Sequence, residues 1–291
     1  MLKLLAAPFA LFATVPALAQ TAAPALSDAV AEDWHVIPDN EILVMTLKGG
    51  HQVHIRLAAR YAPAHVNNIR KLAMAHWWDG TSVYRVQDNY VAQWGDATEA
   101  KTLPPEVIAN PPAEYDWPGY DGVTRLAKPD AYAAKTGHSP DGWPLASDGK
   151  SAWLTHCYGM VGVARDLAPS TGSGAELYTI IGHAPRHLDR NIAIVGRVIE
   201  GIEWLSTLPR GTGNLGFYQD EGQRVAILSV RLASQLPADE RPVFAYRATD
   251  NARFQAWIAA RENRSPPFFE VPAGGADICN LMPEVRRIPR G

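Results

Sequence analysis

The sequence predicts a mainly β protein built from short antiparallel strands. The chain of 291 residues contains 23 prolines and 23 glycines, which is typical of many turns and few long helices. Two helices are predicted before residue 235, one starting at Pro63 and one at about 201–208. Eight segments have the apolar pattern of strands, at about 42–47, 51–57, 83–86, 90–94, 159–164, 177–182, 192–198 and 225–232.

The first 19 residues have the features of a cleaved signal peptide. Lys3 precedes a short apolar run, and the triplet Ala-Leu-Ala ends at residue 19. A membrane anchor is the alternative, but Pro8 and Pro16 interrupt a run that is too short to span a bilayer. We therefore expect a periplasmic or secreted protein with no membrane insertion after cleavage and with an N-terminal arm at residues 20–40.

The composition restricts the classes of partner. The chain has 47% hydrophobic and 20% charged residues, as ordinary globular proteins do. Its formal net charge of -3 gives no electrostatic reason to expect nucleic acid or an anionic membrane.

Residues 41–234 are predicted to form the main domain, interrupted by a long inserted loop at 97–156. That loop contains eight prolines and three tryptophans, and the tryptophans indicate that it packs against something. Residues 235–291 form a C-terminal extension with a predicted helix at 250–261. Fewer than 60 residues rarely fold alone, so we expect the extension to pack on the main domain.

Two cysteines, Cys157 and Cys279, have two possible states in an exported protein. An oxidising compartment permits a disulfide between them, and two separate buried thiols are the alternative.

The segment from residue 83 to residue 96 carries the chemistry. Two short strands flank a polar turn, and alternate residues of such a hairpin share a face. Arg85 and Gln93 are therefore expected on one wall, with Tyr90 and Val91 near the turn. A guanidinium and an amide beside an apolar pocket suit the binding of a peptide group next to an apolar ring.

This segment resembles the signature of the cyclophilins, the peptidyl-prolyl cis-trans isomerases. The similarity extends over about residues 42–233, in the family's order. It includes the blocks Trp78-Asp79-Gly80-Thr81, Gly159 to Asp166, Glu176-Leu177-Tyr178, His187-Leu188-Asp189 and Val195-Gly196-Arg197-Val198. The resemblance implies a closed eight-stranded antiparallel barrel with a helix over each end, and an isomerase that uses no cofactor and no metal.

By this resemblance, Arg85 donates a hydrogen bond to the prolyl nitrogen and Gln93 binds the peptide backbone, with Tyr90 beside them. The other implied contacts to substrate come from a proline pocket and from backbone groups next to it. The pocket residues are Val91, Tyr178, His187 and Leu188, and the backbone groups are those of Ala164 and Arg165, with Glu176 beside them.

Four positions depart from the usual family pattern. Glu176 replaces a glutamine and could pair with Arg165 or Arg85. Trp94 replaces a glycine and could narrow the groove. The other two departures are His187 for tryptophan, which weakens the case for cyclosporin binding, and Ile192 for histidine.

Two other patterns carry no function. The sequence Gly-Thr-Gly-Asn-Leu-Gly at 211–216 matches a dinucleotide fingerprint, but a predicted helix precedes it, so we interpret it as a turn. The nine histidines lack the spacing of a metal site. The leading hypothesis is an isomerase for proline-containing polypeptides of the cell envelope. The alternatives are a binding module of the same fold with little turnover, or a barrel whose additions mediate assembly.

Overall fold

The computed structural model describes residues 28–289, so the expected signal peptide lies outside the described residues. The helices of the described part are α1 (Pro63–Met74), α2 (Glu203–Ser206) and α3 (Ala252–Glu262). Its strands are β1 (Trp34–Val36), β2 (Ile42–Leu47), β3 (Gln52–Leu57), β4 (Ser82–Val86), β5 (Val91–Gly95), β6 (Trp117–Pro118), β7 (Thr124–Arg125), β8 (Lys135–His138), β9 (Pro144–Ser147), β10 (Ser151–Leu154), β11 (Met160–Val163), β12 (Leu177–Ile180), β13 (Ile194–Glu200), β14 (Val225–Leu232), β15 (Phe244–Arg247) and β16 (Val285–Arg287).

Eight strands close into an antiparallel barrel. Their order around the barrel is β11-β12-β5-β4-β14-β2-β3-β13, and these are the eight strands that the sequence predicted, each within about two residues of its expected bounds. The prediction of a mainly β closed barrel is confirmed. Short apolar segments bounded by turn residues were sufficient to locate the strands, several of which, such as β11 and β12, are buried along their whole length.

The two predicted helices differ in outcome. In α1, Pro63 occupies the first position, and Val66, Ile69 and Ala73 are fully buried in the barrel core. The second helix is much shorter than predicted, with only four residues in α2. Gly201 has a φ of +85° before it, and a proline follows it closely, so the chain is unable to stay helical over 201–208.

The insertion at 97–156 contains a small sheet that was not predicted. Its five strands are ordered β6-β10-β9-β8-β7. These strands have only two to four residues each, which is too short for apolar alternation to reveal them. Trp143 and Trp153 are 2% and 3% exposed, in line with the packing that the tryptophans indicated.

The arm and the C-terminal extension form a third sheet, ordered β1-β15-β16. The helix α3 of the extension packs against the insertion, where the Phe254 ring lies 5.2 Å from that of His138, and it shares an apolar cluster with Met160 of β11 and Ile180 of β12. A disulfide joins Cys157 to Cys279, 122 residues apart in the chain. The extension is therefore held to the barrel by apolar packing and by a covalent bond.

Candidate active site

The centre of the site is the hairpin of β4 and β5. Arg85 lies opposite Gln93 in the strand ladder, and Arg85 Nη1 donates to Gln93 Oε1 at 2.9 Å. At the turn, the Tyr90 N–H donates to the Gln87 carbonyl, and Asn89 has a φ of +50°, which asparagine tolerates. The local pattern of the sequence therefore brings the guanidinium and the amide together.

Three acceptors hold the Arg85 guanidinium. Besides Gln93, its Nε donates to the Leu215 carbonyl at 2.7 Å, and its Nη2 donates to the Gln87 side chain. A guanidinium carries five N–H donors. Three of them are used in contacts with residues 28–289, so two are left for a substrate. Partial burial lowers the pKa of Arg85, but an arginine stays charged in proteins. The site thus contains an oriented, positively charged guanidinium with two N–H donors available to a substrate.

The glycine-rich loop at 211–216 positions the Leu215 carbonyl, one of the three acceptors of Arg85. The Gly211 N–H donates to the Val86 carbonyl at 2.9 Å, which anchors the loop to β4. Gly216 has a φ of +82°, and a Cβ there would lie 2.5 Å from Gln87 Cα. The loop is a turn, as the sequence predicted, but the prediction missed that this turn supports Arg85.

Two aromatic rings flank the guanidinium. Arg85 Cζ lies 5.4 Å from the ring centroid of Phe217 and 6.0 Å from that of Tyr90. Phe217 is 40% exposed and stacks on Tyr84 at 5.9 Å between centroids. The Phe217 ring thus flanks the guanidinium, a contact that no sequence pattern indicated.

The apolar residues expected to form a proline pocket belong to one apolar cluster, which meets the guanidinium at Tyr90. Val91 and Tyr178 are 2% and 5% exposed, and Tyr90, Ala164 and Leu188 pack against the same apolar cluster. Their spacing follows from the pairing of β12 with β5, which places Tyr178 opposite the glutamine of the hairpin.

The turn at Arg186–Leu188 closes one side of the pocket. The ring of His187 is exposed and lies nearly parallel to that of Tyr90, with 6.2 Å between centroids. Ile192 packs against the apolar cluster of the pocket as a partly buried residue.

Glu176 contacts neither Arg165 nor Arg85, so the expected pairing is wrong. Its carboxylate accepts hydrogen bonds from the Tyr84 hydroxyl at 2.8 Å and from the Asp96 N–H at 2.7 Å. Burial raises the pKa of Glu176. Burial, followed by the nearby carboxylate of Glu176, also raises the pKa of Tyr84.

The side chain of Arg165 also has local partners. Its Nε donates to the Asn191 carbonyl and its Nη1 to the Asp166 carbonyl. The guanidinium is thereby committed to backbone oxygens beside the groove.

Trp94 does not narrow the groove. Its side chain is fully buried in the barrel core, with its ring 5.7 Å from that of Trp78. The reason is the alternation of a strand: Gln93 faces the groove, so its neighbour faces the opposite side.

The expected backbone contacts of Ala164 and Arg165 need one correction. The Ala164 N–H donates to the Glu176 carbonyl at 2.9 Å, so this donor is already used inside the barrel. Both residues nevertheless border a groove of about 630 Å³. Its other walls include Gln93 from the hairpin and Lys101 from the insertion.

Within residues 28–289, no group of three or more His, Cys, Asp or Glu side chains is arranged to hold a metal ion. No helix in the same range is both long enough and apolar enough to cross a membrane.

Comparison with known families decides the assignment. Residues 42–231 match the model of the family described as cyclophilin type peptidyl-prolyl cis-trans isomerase/CLD. This protein is a member of that family. Isomerases of this family belong to class EC 5.2.1.8, and the match includes all eight barrel strands except the last residue of β14.

The fold also resembles that of a solved cyclophilin. A cyclophilin from Hirschia baltica is 23% identical, with a TM-score of 0.69, and the match covers 88% of this chain and 94% of that chain. A cyclophilin type peptidyl-prolyl cis-trans isomerase from Cryptosporidium parvum, solved in the presence of the dipeptide Ala-Pro, is 13% identical with a TM-score of 0.42. That match covers 66% of this chain and 98% of the other. No curated protein sequence matches this cyclophilin significantly.

Proposed function

We propose that this cyclophilin isomerises X-Pro bonds of exported polypeptides, with Arg85 as the donor to the prolyl nitrogen. The observation that carries the proposal is the guanidinium of Arg85, which three acceptors hold next to Tyr90 and the apolar cluster that includes Val91, Tyr178 and Leu188.

The chemistry needs no nucleophile. Rotation about an X-Pro bond is opposed by amide resonance, with a barrier of about 18–20 kcal/mol. In the twisted state the nitrogen lone pair is localised and accepts a hydrogen bond, so a donor aimed at it binds the transition state more tightly than the ground state. Arg85 has donors left for this purpose, and the apolar pocket would hold the proline ring while the carbonyl turns.

One hydrogen bond is insufficient for the whole rate enhancement. An acceleration of about 10⁵ requires about 7 kcal/mol, whereas a hydrogen bond to a charged group contributes about 1.5–3 kcal/mol. The remainder must come from the shape of the pocket and from contacts of Gln93 and Tyr90 with the peptide. A rigid pocket is therefore as necessary as the arginine.

Export and clients in the cell envelope are supported by two features. The first 19 residues have the pattern of a signal peptide, and the disulfide of Cys157 and Cys279 suits an oxidising compartment.

The test measures isomerisation of an X-Pro peptide by NMR exchange spectroscopy, which needs no coupled protease. We expect fast exchange with the native protein and at least a hundredfold lower kcat/KM for Arg85→Ala. Arg60→Ala is the matched control, because Arg60 is exposed and lies outside the groove.

A different result would favour the binding module. If the native protein shifts the peptide signals without exchanging them, it binds proline-containing segments but does not turn them over. The commitment of three Arg85 donors to protein acceptors is the feature that makes this alternative worth testing.

A further inference from the structure

A chain of buried polar side chains lies behind the proline pocket. The Tyr178 hydroxyl is 3.0 Å from His156 Nε2, and His156 Nδ1 is 3.0 Å from Asp189 Oδ1. Asp189 Oδ2 accepts from Arg186 Nε at 2.6 Å, and Arg186 Nη1 donates to Asp130 Oδ2 at 2.6 Å. The side chains of His156, Asp189, Arg186 and Asp130 are all less than 8% exposed. The chain runs from the pocket to the inserted sheet.

The partners of His156 define its protonation. Burial lowers the pKa of His156, so its imidazole is neutral and carries one proton. Burial alone would raise the pKa of Asp189, but the hydrogen bond from His156 and the charge of Arg186 lower it overall, so this carboxylate is ionised. A carboxylate only accepts, so the proton of His156 is on Nδ1, and Nε2 accepts from the Tyr178 hydroxyl.

This arrangement joins two separate walls of the pocket. Tyr178 belongs to β12, whereas Leu188 belongs to the turn Arg186–Leu188, and Asp189 follows directly. His156 contacts Tyr178 through one ring nitrogen and Asp189 through the other. The backbone N–H of His156 also donates to Asp189 Oδ1 at 2.9 Å. One imidazole thus sets the distance between the ring on one wall and the turn on the other.

The Tyr178 ring is also restrained from its other side. A Cβ at position 162 would lie 2.3 Å from the Tyr178 hydroxyl oxygen and 2.4 Å from Cζ, so the ring packs directly over Gly162. The hydroxyl end is therefore held between the backbone of β11 and His156. Losing the acceptor on His156 would leave a buried hydroxyl unpaired and favour other ring orientations.

We propose that His156 is a positioning residue of the proline site, and that Asp130 of the insertion supports the same site through its ion pair with Arg186. His156 acts through Tyr178 and the turn bearing Leu188, without touching substrate. The proposal rests on the proposed isomerase function and extends it to residues outside the signature hairpin.

Two substitutions at one position separate the two bonds of His156. In His156→Asn the amide takes the place of Nδ1, so it keeps the contact with Asp189 but leaves the Tyr178 hydroxyl without an acceptor. In His156→Gln the amide oxygen reaches the place of Nε2 and accepts from Tyr178. We expect His156→Asn to lower kcat/KM about tenfold, equivalent to about 1.4 kcal/mol, and His156→Gln to retain most of the activity.

The Tyr178→Phe background makes the test specific. Without the hydroxyl, His156→Asn has no bond to remove, so we expect it to change kcat/KM less than twofold in that background. A purely structural role would lower the unfolding temperature equally in both backgrounds and leave kcat/KM unchanged at temperatures where the protein is folded. Either an unchanged kcat/KM in His156→Asn or an equal loss in both backgrounds would overturn the proposal.

A second readout does not depend on catalysis. In protein with ¹³C-labelled tyrosine, the ring of Tyr178 should flip faster in His156→Asn than in the native protein or His156→Gln, seen as changed aromatic linewidths. If the native protein catalyses no exchange, the proposed function fails, and this measurement still decides whether His156 restrains the ring. Identical ring dynamics in all three proteins would refute the positioning role.

Discussion

Arg85 Nε lies 2.7 Å from the carbonyl oxygen of Leu215, a residue 130 positions later in the chain. The acceptor is a backbone atom, and Leu215 itself has a φ of +54°. The glycine-rich loop therefore orients the proposed catalytic donor through its backbone shape rather than through a side chain.

Gly216→Ala should disturb this support. A Cβ at Gly216 would lie 2.5 Å from Gln87 Cα, so the loop and the hairpin turn must separate, and both bear acceptors for Arg85. We expect kcat/KM for an X-Pro peptide to fall about tenfold, equivalent to about 1.4 kcal/mol.

The control for that substitution is Gly50→Ala. Gly50 has a φ of +81°, close to that of Gly216, but a Cβ there has no neighbour within 4 Å. Both variants carry a similar backbone strain of about 1–2 kcal/mol. Equal activities of the two variants would show that the loop does not support Arg85.

Glu176→Gln should leave catalysis nearly unchanged. Glu176 accepts from Tyr84 and from the Asp96 N–H, not from Arg85, and an amide oxygen can replace part of this role. We expect kcat/KM within about threefold of the native value. A change of tenfold or more would mean that this carboxylate acts on the guanidinium during turnover.

The same substitution should alter the pH dependence of stability. Burial raises the pKa of Glu176 in the folded state, so its contribution is most favourable below its ordinary pKa and is lost as the pH rises through the folded value. The free energy of unfolding at pH 7 should therefore be equal or higher in Glu176→Gln. Glu221→Gln, at an exposed carboxylate, is the control for urea unfolding.

Removal of the disulfide should destabilise the protein. The bond between Cys157 and Cys279 closes a loop of 122 residues. The chain-entropy model gives about 4–5 kcal/mol for so long a loop. We expect the double variant Cys157→Ser/Cys279→Ser to lose up to this amount in urea unfolding. The reduced native protein should match the double variant, and an unchanged midpoint for both would contradict the prediction.

His138 should make the protein less stable in acid. Burial lowers the pKa of His138 to about 3, and its ring packs edge-on against Phe254. An unfolded histidine titrates near 6.5, so between those values the unfolded chain binds a proton that the folded chain does not. The free energy of unfolding should then fall as the pH falls, by about 1.4 kcal/mol per unit from this group.

The check is a series of urea titrations from pH 7 to pH 4.5. His138→Leu should be less stable at pH 7 but should show a shallower dependence on pH than the native protein. His183→Leu, at an exposed position, should keep the native slope. Parallel curves for His138→Leu and the native protein would exclude this histidine as a source of acid sensitivity.

The parts of the site that were predictable are local. Arg85 and Gln93 are eight residues apart in one hairpin, and the strand period with a polar turn places them on one face. The stripe of Val66, Ile69 and Ala73 in α1 was predictable for the same reason, since the helix period is a property of neighbouring residues.

The expectations that failed concern partners. Glu176 was considered as a partner of Arg165 or Arg85, yet it accepts from Tyr84 and the Asp96 N–H. Trp94 was considered as a residue that narrows the groove, but the alternation that directs Gln93 outward directs Trp94 inward. The first error needed distances between strands, whereas the second could have been avoided from the strand period alone.

The sequence by itself determined the barrel strands and the hairpin with Arg85, because short-range periodicity and turn residues specify them, and its resemblance to the cyclophilin signature indicated the family. Only the tertiary structure decided that Leu215 supports Arg85 and that His156 bridges Tyr178 and Asp189. The physical reason is that these contacts join segments far apart in the chain, some through backbone atoms common to every residue. Residue type and spacing carry no signal for such contacts until packing brings the segments together.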